Sequence, residues 1–312
     1  MESQALTFPA PITYIGAVKV TSTSKNASGF YDELNQQQYD ALQEFKTILT
    51  NEKIIPNFEI YDDLYLLRFL RARKFDLPKT KLMFTNFLKW RETEKVDDIR
   101  ENFGFEEMFQ VKPLYPHSYH KTDKQGRPIY IELLSKIDMD KLLKATTEER
   151  LKKYYVREYE RLMKYRFPAC SSVMKKPIEQ SLTILDLEGI GISHLVGKTK
   201  AFLQIASSVG QDYYPEMLGT MVLLNTSFLF NAVWAIAKAF IDEKTRKKIH
   251  MLGYKYKPKL LELVDPQNLP TIIGGECTCP HIENGCLYSD IGPWNPRGGL
   301  KVGDHDTYLG EK

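Results

Sequence analysis

Polar side chains set inside apolar segments are where this sequence first offers chemistry. In Ser181-Leu-Thr-Ile-Leu185 the two-residue period of a strand puts Ser181 and Thr183 on one face. Buried hydroxyls must find partners. Either these two bond neighbouring backbone, or they line a cavity whose ligand has a polar head. Tyr130, inside Pro128-Ile-Tyr-Ile-Glu-Leu133, and Tyr119 before it would bring phenols to the same cavity.

Charge and apolar patterning add two more features. Between Lys244 and Lys259 there are seven Lys or Arg and no Asp or Glu. That is either a solvated face or a surface for anionic lipid or phosphate, where each cation adds about 1 kcal/mol. Arg68, Arg71, Arg73 and Lys74 form a second basic cluster. The segment Phe228–Phe240 carries Phe228, Phe230, Val233, Trp234 and Phe240 on more than one stripe. It reads as a helix buried on most sides, or as a lid with a core on one face and an apolar ligand on the other.

Other motifs fail on spacing. Gly197-Lys198-Thr199 lacks the P-loop glycine, because Ile192 stands there. Gly189-x-Gly191 lacks the third glycine of a dinucleotide fingerprint, because His194 stands there. There is no G-x-S-x-G elbow. His117-x-x-His120 has no companion close in sequence and reads as surface histidines. Cys277-x-Cys279-x-His281 with Cys286 has zinc-type ligands, but the spacing is tighter than the usual knuckle. The expectation is a loop of reduced thiols that binds no metal and is dispensable for function.

Length and composition bound the elements that must position these groups. The chain has 312 residues, 43% hydrophobic and 27% charged, with a net charge of +3. That fits one large globular domain with a smaller companion, and it gives no global signature for nucleic acid. Four cysteines exclude a disulfide scaffold and suit a reducing compartment. Neither a secretory signal nor a lipidation motif is readable. Met217–Ala237 is uncharged, yet Asn225, Thr226, Ser227 and Asn231 interrupt it, so it reads as a strand and a helix, not as a membrane span.

Residues 1–34 read as a poorly ordered arm, 35–98 as a helical unit, 99–294 as the main domain and 295–312 as a tail. Tyr39, Leu42, Phe45 and Ile48 mark a helix over Gln36–Leu49. Asp62 is placed to cap Leu64–Arg73, and Pro78 opens a helix reaching Arg91. Strands are predicted over 128–133, 181–185, 221–224 and 269–273. Helices are predicted from a Thr146-x-x-Glu149 capping box to about Tyr165, over 195–209 and from Phe228. The alternation predicts an α/β domain with a mixed, largely parallel sheet.

Several segments, in order, resemble the CRAL-TRIO lipid-binding family, and within it the fungal-type phosphatidylinositol/phosphatidylcholine transfer proteins. They are Leu66-Leu-Arg-Phe-Leu-Arg-Ala-Arg-Lys-Phe-Asp76, Tyr119-His-Lys-Thr-Asp-Lys-Gln-Gly-Arg-Pro-Ile-Tyr130, Ser181-Leu-Thr-Ile-Leu-Asp-Leu-Glu-Gly189, Tyr213-Tyr-Pro-Glu216, Asn268-Leu-Pro270 with Gly274-Gly275, and Ser289-Asp-Ile-Gly-Pro-Trp294. The resemblance implies a small N-terminal helical unit on a lipid-binding α/β domain. It implies a mobile lid helix, with Phe228, Phe230, Trp234 and Phe240, over one deep apolar pocket. It implies a non-enzymatic protein with no cofactor, holding one phospholipid at a time and exchanging it at membranes.

Carried over by motif, Tyr119, Tyr130, Ser181 and Thr183 would meet a phosphatidylcholine headgroup. Lys74, Glu216, Thr245 and Lys248, with Arg73 and Asp242, would meet an inositol phosphate. The chemistry agrees, since phosphocholine needs hydroxyl donors and ring faces, and inositol phosphate needs cations and acceptors. The resemblance also implies a cytoplasmic protein visiting Golgi or endosomal membranes and presenting phosphatidylinositol to lipid kinases. Thr226-Ser227 and Lys238-Ala239-Phe240-Ile241-Asp242 depart from the family pattern at the lid's ends, so the hinge is expected to move differently. The rival readings are a carrier for a tocopherol, retinoid or sterol, which would leave Lys74 and Lys248 without a purpose, and a lipid-modifying enzyme.

Overall fold

The structure is a computed structural model that describes residues 18–190, 209–228, 230, 234 and 243–300. The chain forms two compact units: one is built from residues of 10–97 and 208–216, the other from residues of 98–207 and 217–312.

The first unit is helical. α1 (Gln36–Asn51) opens with a capping box in which Asn35 and Gln38 satisfy each other's backbone N–H groups. Asp62 caps α2 (Asp63–Ala72) by accepting from the Tyr65 N–H at 2.9 Å. Asp76 caps α3 (Leu77–Thr93), with Pro78 in the first turn, where its missing N–H is harmless. Phe45, Phe69, Phe84 and Phe87 close the core between the three helices. The Tyr213-Tyr-Pro-Glu216 segment belongs to this unit. Tyr213 stacks on Trp90 with ring centroids 3.9 Å apart, and the Glu216 carbonyl accepts from Arg68.

Part of the expected arm is tied down. The Thr21 and Ser22 N–H groups both donate to the Leu34 carbonyl, and Leu34 is fully buried. Arg71 donates to the Gly29 carbonyl and lies over the Phe30 ring, 4.1 Å from its centroid. Arg68 and Arg71 are therefore buried structural cations. Of the expected basic cluster only Arg73 and Lys74 are exposed.

The second unit begins with α4 (Val96–Asn102, which starts at the unit boundary) and α5 (Met108–Val111). Among the described residues its sheet has five strands in the order β1 (His117–Thr122), β2 (Pro128–Leu133), β3 (Ser181–Asp186), β4 (Leu218–Leu224) and β5 (Ile249–Met251). β1 pairs antiparallel with β2, and the other pairs are parallel. Between β2 and β3 run α6 (Met139–Ala145), α7 (Glu148–Arg161), a π-helical turn (Leu162–Arg166) and α8 (Phe167–Met174). The wide turn has a local cause. Pro168 has no N–H to give the preceding turn, and its ring would crowd the carbonyl four residues back. After β4 come α9 (Glu243–Lys247) and α10 (Lys257–Leu263).

The two faces of the sheet differ. On one, Ile129, Ile131, Leu182, Ile184, Val222 and Leu224 are fully buried in a core completed by Leu260, Val264, Leu269 and Ile273. On the other, Tyr130, Thr183, Leu185 and Met221 are only half-buried.

The mixed, largely parallel sheet expected from sequence is present. Two local expectations are corrected. Residues 269–273 form no strand; Pro266–Asn268 and Thr271–Ile273 are 3-10 turns, forced by Pro270 and the left-handed Gly274. The cap of α7 is Thr147, which accepts from the Arg150 N–H, and not Thr146, whose hydroxyl donates to Glu107. At the other end, residues 295–300 are tied back, with the Gly299 and Leu300 N–H groups bonded to the Ser289 and Tyr288 carbonyls. The predicted helix over 195–209, most of the lid segment including Phe240, and Asp242 lie outside the described residues.

Candidate functional site

Strand register assembles the first set of candidates. Tyr119 pairs with Tyr130, Tyr130 with Thr183, and Thr183 with Met221. Residues in register share a face, so the two phenols and the threonine form one row across β1, β2 and β3. Ser181 stands two residues along β3 on the same face. Its hydroxyl reaches the Met217 carbonyl only at 3.4 Å, a weak bond that an anionic acceptor can replace.

The row is braced from the side of α7. Tyr155 donates to the Tyr115 hydroxyl at 2.8 Å, Tyr115 meets Tyr130 at 3.2 Å, and Tyr130 donates to Glu132 at 3.0 Å. Glu132 shares the Tyr130 face. Burial pushes its carboxyl up to about 7, against the hydrogen bonds from Tyr130 and Tyr115. With a proton of its own, Glu132 can donate to Tyr130 and release the phenol proton to a different acceptor.

Tyr119 has a different brace. The guanidinium of Arg166, at the end of the π turn, lies over its ring, 4.0 Å from the centroid. Arg166 is fully buried and ion-paired to Glu158 at 2.8 Å and Asp290 at 3.2 Å. Burial opposes the Glu158 charge, but Arg166, Arg161 and Arg157 outweigh it and hold the carboxyl down near 2. The Tyr130 ring lies 5.1 Å from Tyr119 and the Trp294 ring 6.5 Å, edge-on. Arg166 therefore takes one face of Tyr119 and leaves its hydroxyl and edge for other contacts.

His117 and His120 are buried, which corrects their reading as surface residues. His117 Nδ1 donates to the Tyr115 carbonyl at 2.8 Å, so Nε2 accepts from Tyr154 at 2.7 Å. Burial and nearby Lys112 hold this histidine neutral. A chamber of about 40 Å³ lies behind the row, between His117, Tyr119, Tyr130, Tyr154, Glu158 and Arg166. It is polar and far smaller than a phospholipid.

The second set of candidates divides between the units. Arg73 and Lys74 end α2, with Lys74 in the left-handed region at φ 53°, and both are exposed. Glu216, at φ 60°, belongs to the same helical unit. Thr245 and Lys248 belong to the sheet unit. The Thr245 carbonyl accepts from the Lys248 N–H at 3.0 Å, and Lys248 Nζ donates to the Leu218 carbonyl at 2.8 Å.

Of the lid residues described, Phe228 is 89% exposed, and Phe230 and Trp234 are half-buried. The loop after β4 touches the loop after β5, where the Thr226 N–H donates to the Leu252 carbonyl at 3.1 Å. Tyr254 is exposed just beyond, followed by exposed Lys255, Lys257 and Lys259. No helix among the described residues is long and apolar enough to cross a membrane.

The chain belongs to the CRAL/TRIO family. The CRAL/TRIO domain matches residues 114–275 and the CRAL/TRIO N-terminal domain residues 30–86. Among its relatives, the phosphatidylinositol/phosphatidylcholine transfer protein SFH7 of Arabidopsis thaliana is 46% identical over 272 residues, 87% of this chain and 49% of that protein. The Sec14 cytosolic factor of Schizosaccharomyces pombe is 47% identical over 237 residues, 76% of this chain and 82% of that protein. The chain thus spans about half the length of the plant relative. A crystal structure of Sfh5 superposes with a TM-score of 0.57 over 88% of this chain and 94% of that one, at 15% identity, a likeness of fold.

Proposed function

We propose that this protein is a phosphatidylinositol/phosphatidylcholine transfer protein. It binds one phospholipid with the acyl chains shielded from water and exchanges it at a membrane surface. The observation that carries the reading is the in-register row Tyr119–Tyr130–Thr183, with Ser181 beside it, on the half-open face of the sheet. On the opposite face Ile129 and Ile131 of β2 and Leu182 and Ile184 of β3 are sealed in an apolar core, so hydroxyls on this face need a polar partner of their own. The names of the plant and yeast relatives support the same ligands.

In this reading phosphocholine lies on the row. The phosphate takes hydroxyl protons from Ser181, Thr183 and Tyr130, and the ammonium sits against ring edges and faces. Lys74, Glu216, Thr245 and Lys248, with Arg73 and Asp242, serve the inositol phosphate. The work is binding and exchange without catalysis or cofactor. Shielding matters because exposing acyl chains opposes transfer by roughly 25 cal/mol per Å² of apolar surface. Phe228, Tyr254 and the Lys255–Lys259 stretch supply aromatic and cationic contacts to an anionic membrane, in a peripheral, reversible association. The protein works in the cytoplasm, at Golgi or endosomal membranes, and presents phosphatidylinositol to lipid kinases.

Native mass spectrometry of the purified full chain, with lipid extraction, tests the ligand. One phosphatidylcholine or phosphatidylinositol per chain is expected. A tocopherol, retinoid or sterol at the same occupancy would replace this reading with the carrier one.

A further inference from the structure

Four ligand-type side chains meet away from the headgroup row. His120, Cys277, Cys279 and Cys286 each bring one ligand atom, and all four atoms lie within 4.8 Å of one another. Cys277 Sγ and Cys279 Sγ are 3.6 Å apart. That is far beyond a disulfide bond of about 2.05 Å. It is close to the edge of a tetrahedron with metal–sulfur bonds of about 2.3 Å, which is about 3.8 Å. Cys279, Cys286 and His120 are buried, and Cys277 is half-buried, which leaves a path for an ion.

The hydrogen bonds around His120 fix which nitrogen carries the lone pair. The Ser289 hydroxyl donates its one proton to the Cys286 carbonyl at 2.8 Å. His120 Nδ1 lies 2.9 Å from the same oxygen, so the histidine must be the donor there. Nε2 then carries the lone pair. It is buried, and it has no hydrogen-bond partner. A fully buried imidazole acceptor without a partner is costly unless something binds it. A histidine metal ligand has this arrangement, with its second nitrogen bonded to an orienting oxygen.

We infer that His120, Cys277, Cys279 and Cys286 form a Cys₃His site for a structural Zn²⁺ ion, with Ser289 orienting the histidine. Three thiolates and one imidazole in a closed tetrahedron suit Zn²⁺ and leave no open position for catalysis. Binding releases the thiol protons to solvent. The exposed His281, nearest in sequence to the thiols, is not a member; the fourth ligand comes from β1.

The fold shows what such an ion would hold together. β1 is an edge strand, and its register breaks between Tyr119 and Thr122. There the Lys121 N–H leaves the ladder and donates to the Ile291 carbonyl at 2.6 Å. The chain enters the thiol loop through Gly275, where any side chain would collide with the Leu269 carbonyl. It leaves the loop through Asp290 and Trp294, which brace Arg166 and Tyr119. The ion would pin this strap to the edge of the sheet.

The test uses the full chain purified under reducing conditions without chelator. Elemental analysis is expected to give one Zn²⁺ per chain. Replacement by Co²⁺ is expected to give tetrahedral ligand-field bands and a thiolate charge-transfer band, both lost in Cys279→Ser. Ser289→Ala should weaken metal affinity about 10–100-fold while keeping the cobalt spectrum. If Cys279→Ser does not fold, the spectrum of the unsubstituted protein decides alone. Substoichiometric metal with Cys277, Cys279 and Cys286 freely reactive in added Zn²⁺, or an octahedral cobalt spectrum, would overturn the inference. None of these readouts is lipid transfer, so the site and the lipid reading fail separately.

Discussion

Tyr130 has one hydroxyl proton, and Glu132 holds it at 3.0 Å. The pH behaviour of that carboxyl is therefore visible in stability. Its folded value is about 7, against about 4.3 in an unfolded chain. Between those values the unfolded state has lost the proton and the folded state keeps it, so stability falls as pH rises through the window. Glu132→Gln should remove this slope and stabilise the protein at pH 8 by up to about 3 kcal/mol, with little gain at pH 4. Urea melts at the two pH values check this, and an equal gain at both would contradict the buried carboxyl. Glu132 was not singled out in the sequence, although it stands two residues from Tyr130 in a mostly apolar strand. His117 and His120 were not, because their partners lie 37 and 169 residues away.

Between elements, Arg166 is the joint. It sits where α7 passes through the π turn into α8, and it pairs with Glu158 of α7 and Asp290 of the C-terminal strap while covering Tyr119 of β1. Removing one member of a buried ion network leaves the others uncompensated. Arg166→Met should therefore destabilise the fold by about 3–5 kcal/mol. Denaturant melts measure it, and a change within error would mean the network is not buried in solution. The sequence marked strands well where apolar runs were long, as over Pro128–Leu133 and Leu218–Leu224. It missed β1 and β5. β1 reads His-Ser-Tyr-His-Lys-Thr, because its polar residues are absorbed by the strap and the helices. β5 has three residues inside a basic run. The false strand at 269–273 had strand-like residues, and Pro270 and Gly274 set the turns. Arg166 had no local signal, because Asp290 is 124 residues away.

For the whole molecule, the proposed exchange requires a membrane surface and two ligands. Lys255→Ala, Lys257→Ala and Lys259→Ala together remove three exposed cations beside Tyr254. At about 1 kcal/mol each, binding to anionic vesicles should weaken on the order of a hundredfold, and binding to neutral vesicles should not change. Vesicle co-sedimentation at low salt measures both, and equal loss on the two surfaces would remove the electrostatic account. The central claim is that one chain serves two headgroups with two sets of residues. Radiolabelled transfer assays with each lipid, on Ser181→Ala/Thr183→Ala and on Lys74→Ala/Lys248→Ala, test it most directly. Each lost charge-assisted hydrogen bond is worth about 1.5–3 kcal/mol, a tenfold or greater loss in affinity. The hydroxyl pair should lose phosphatidylcholine transfer and keep phosphatidylinositol transfer, and the lysine pair should do the reverse. Loss of both activities in either folded variant would contradict the account and leave a single shared headgroup site.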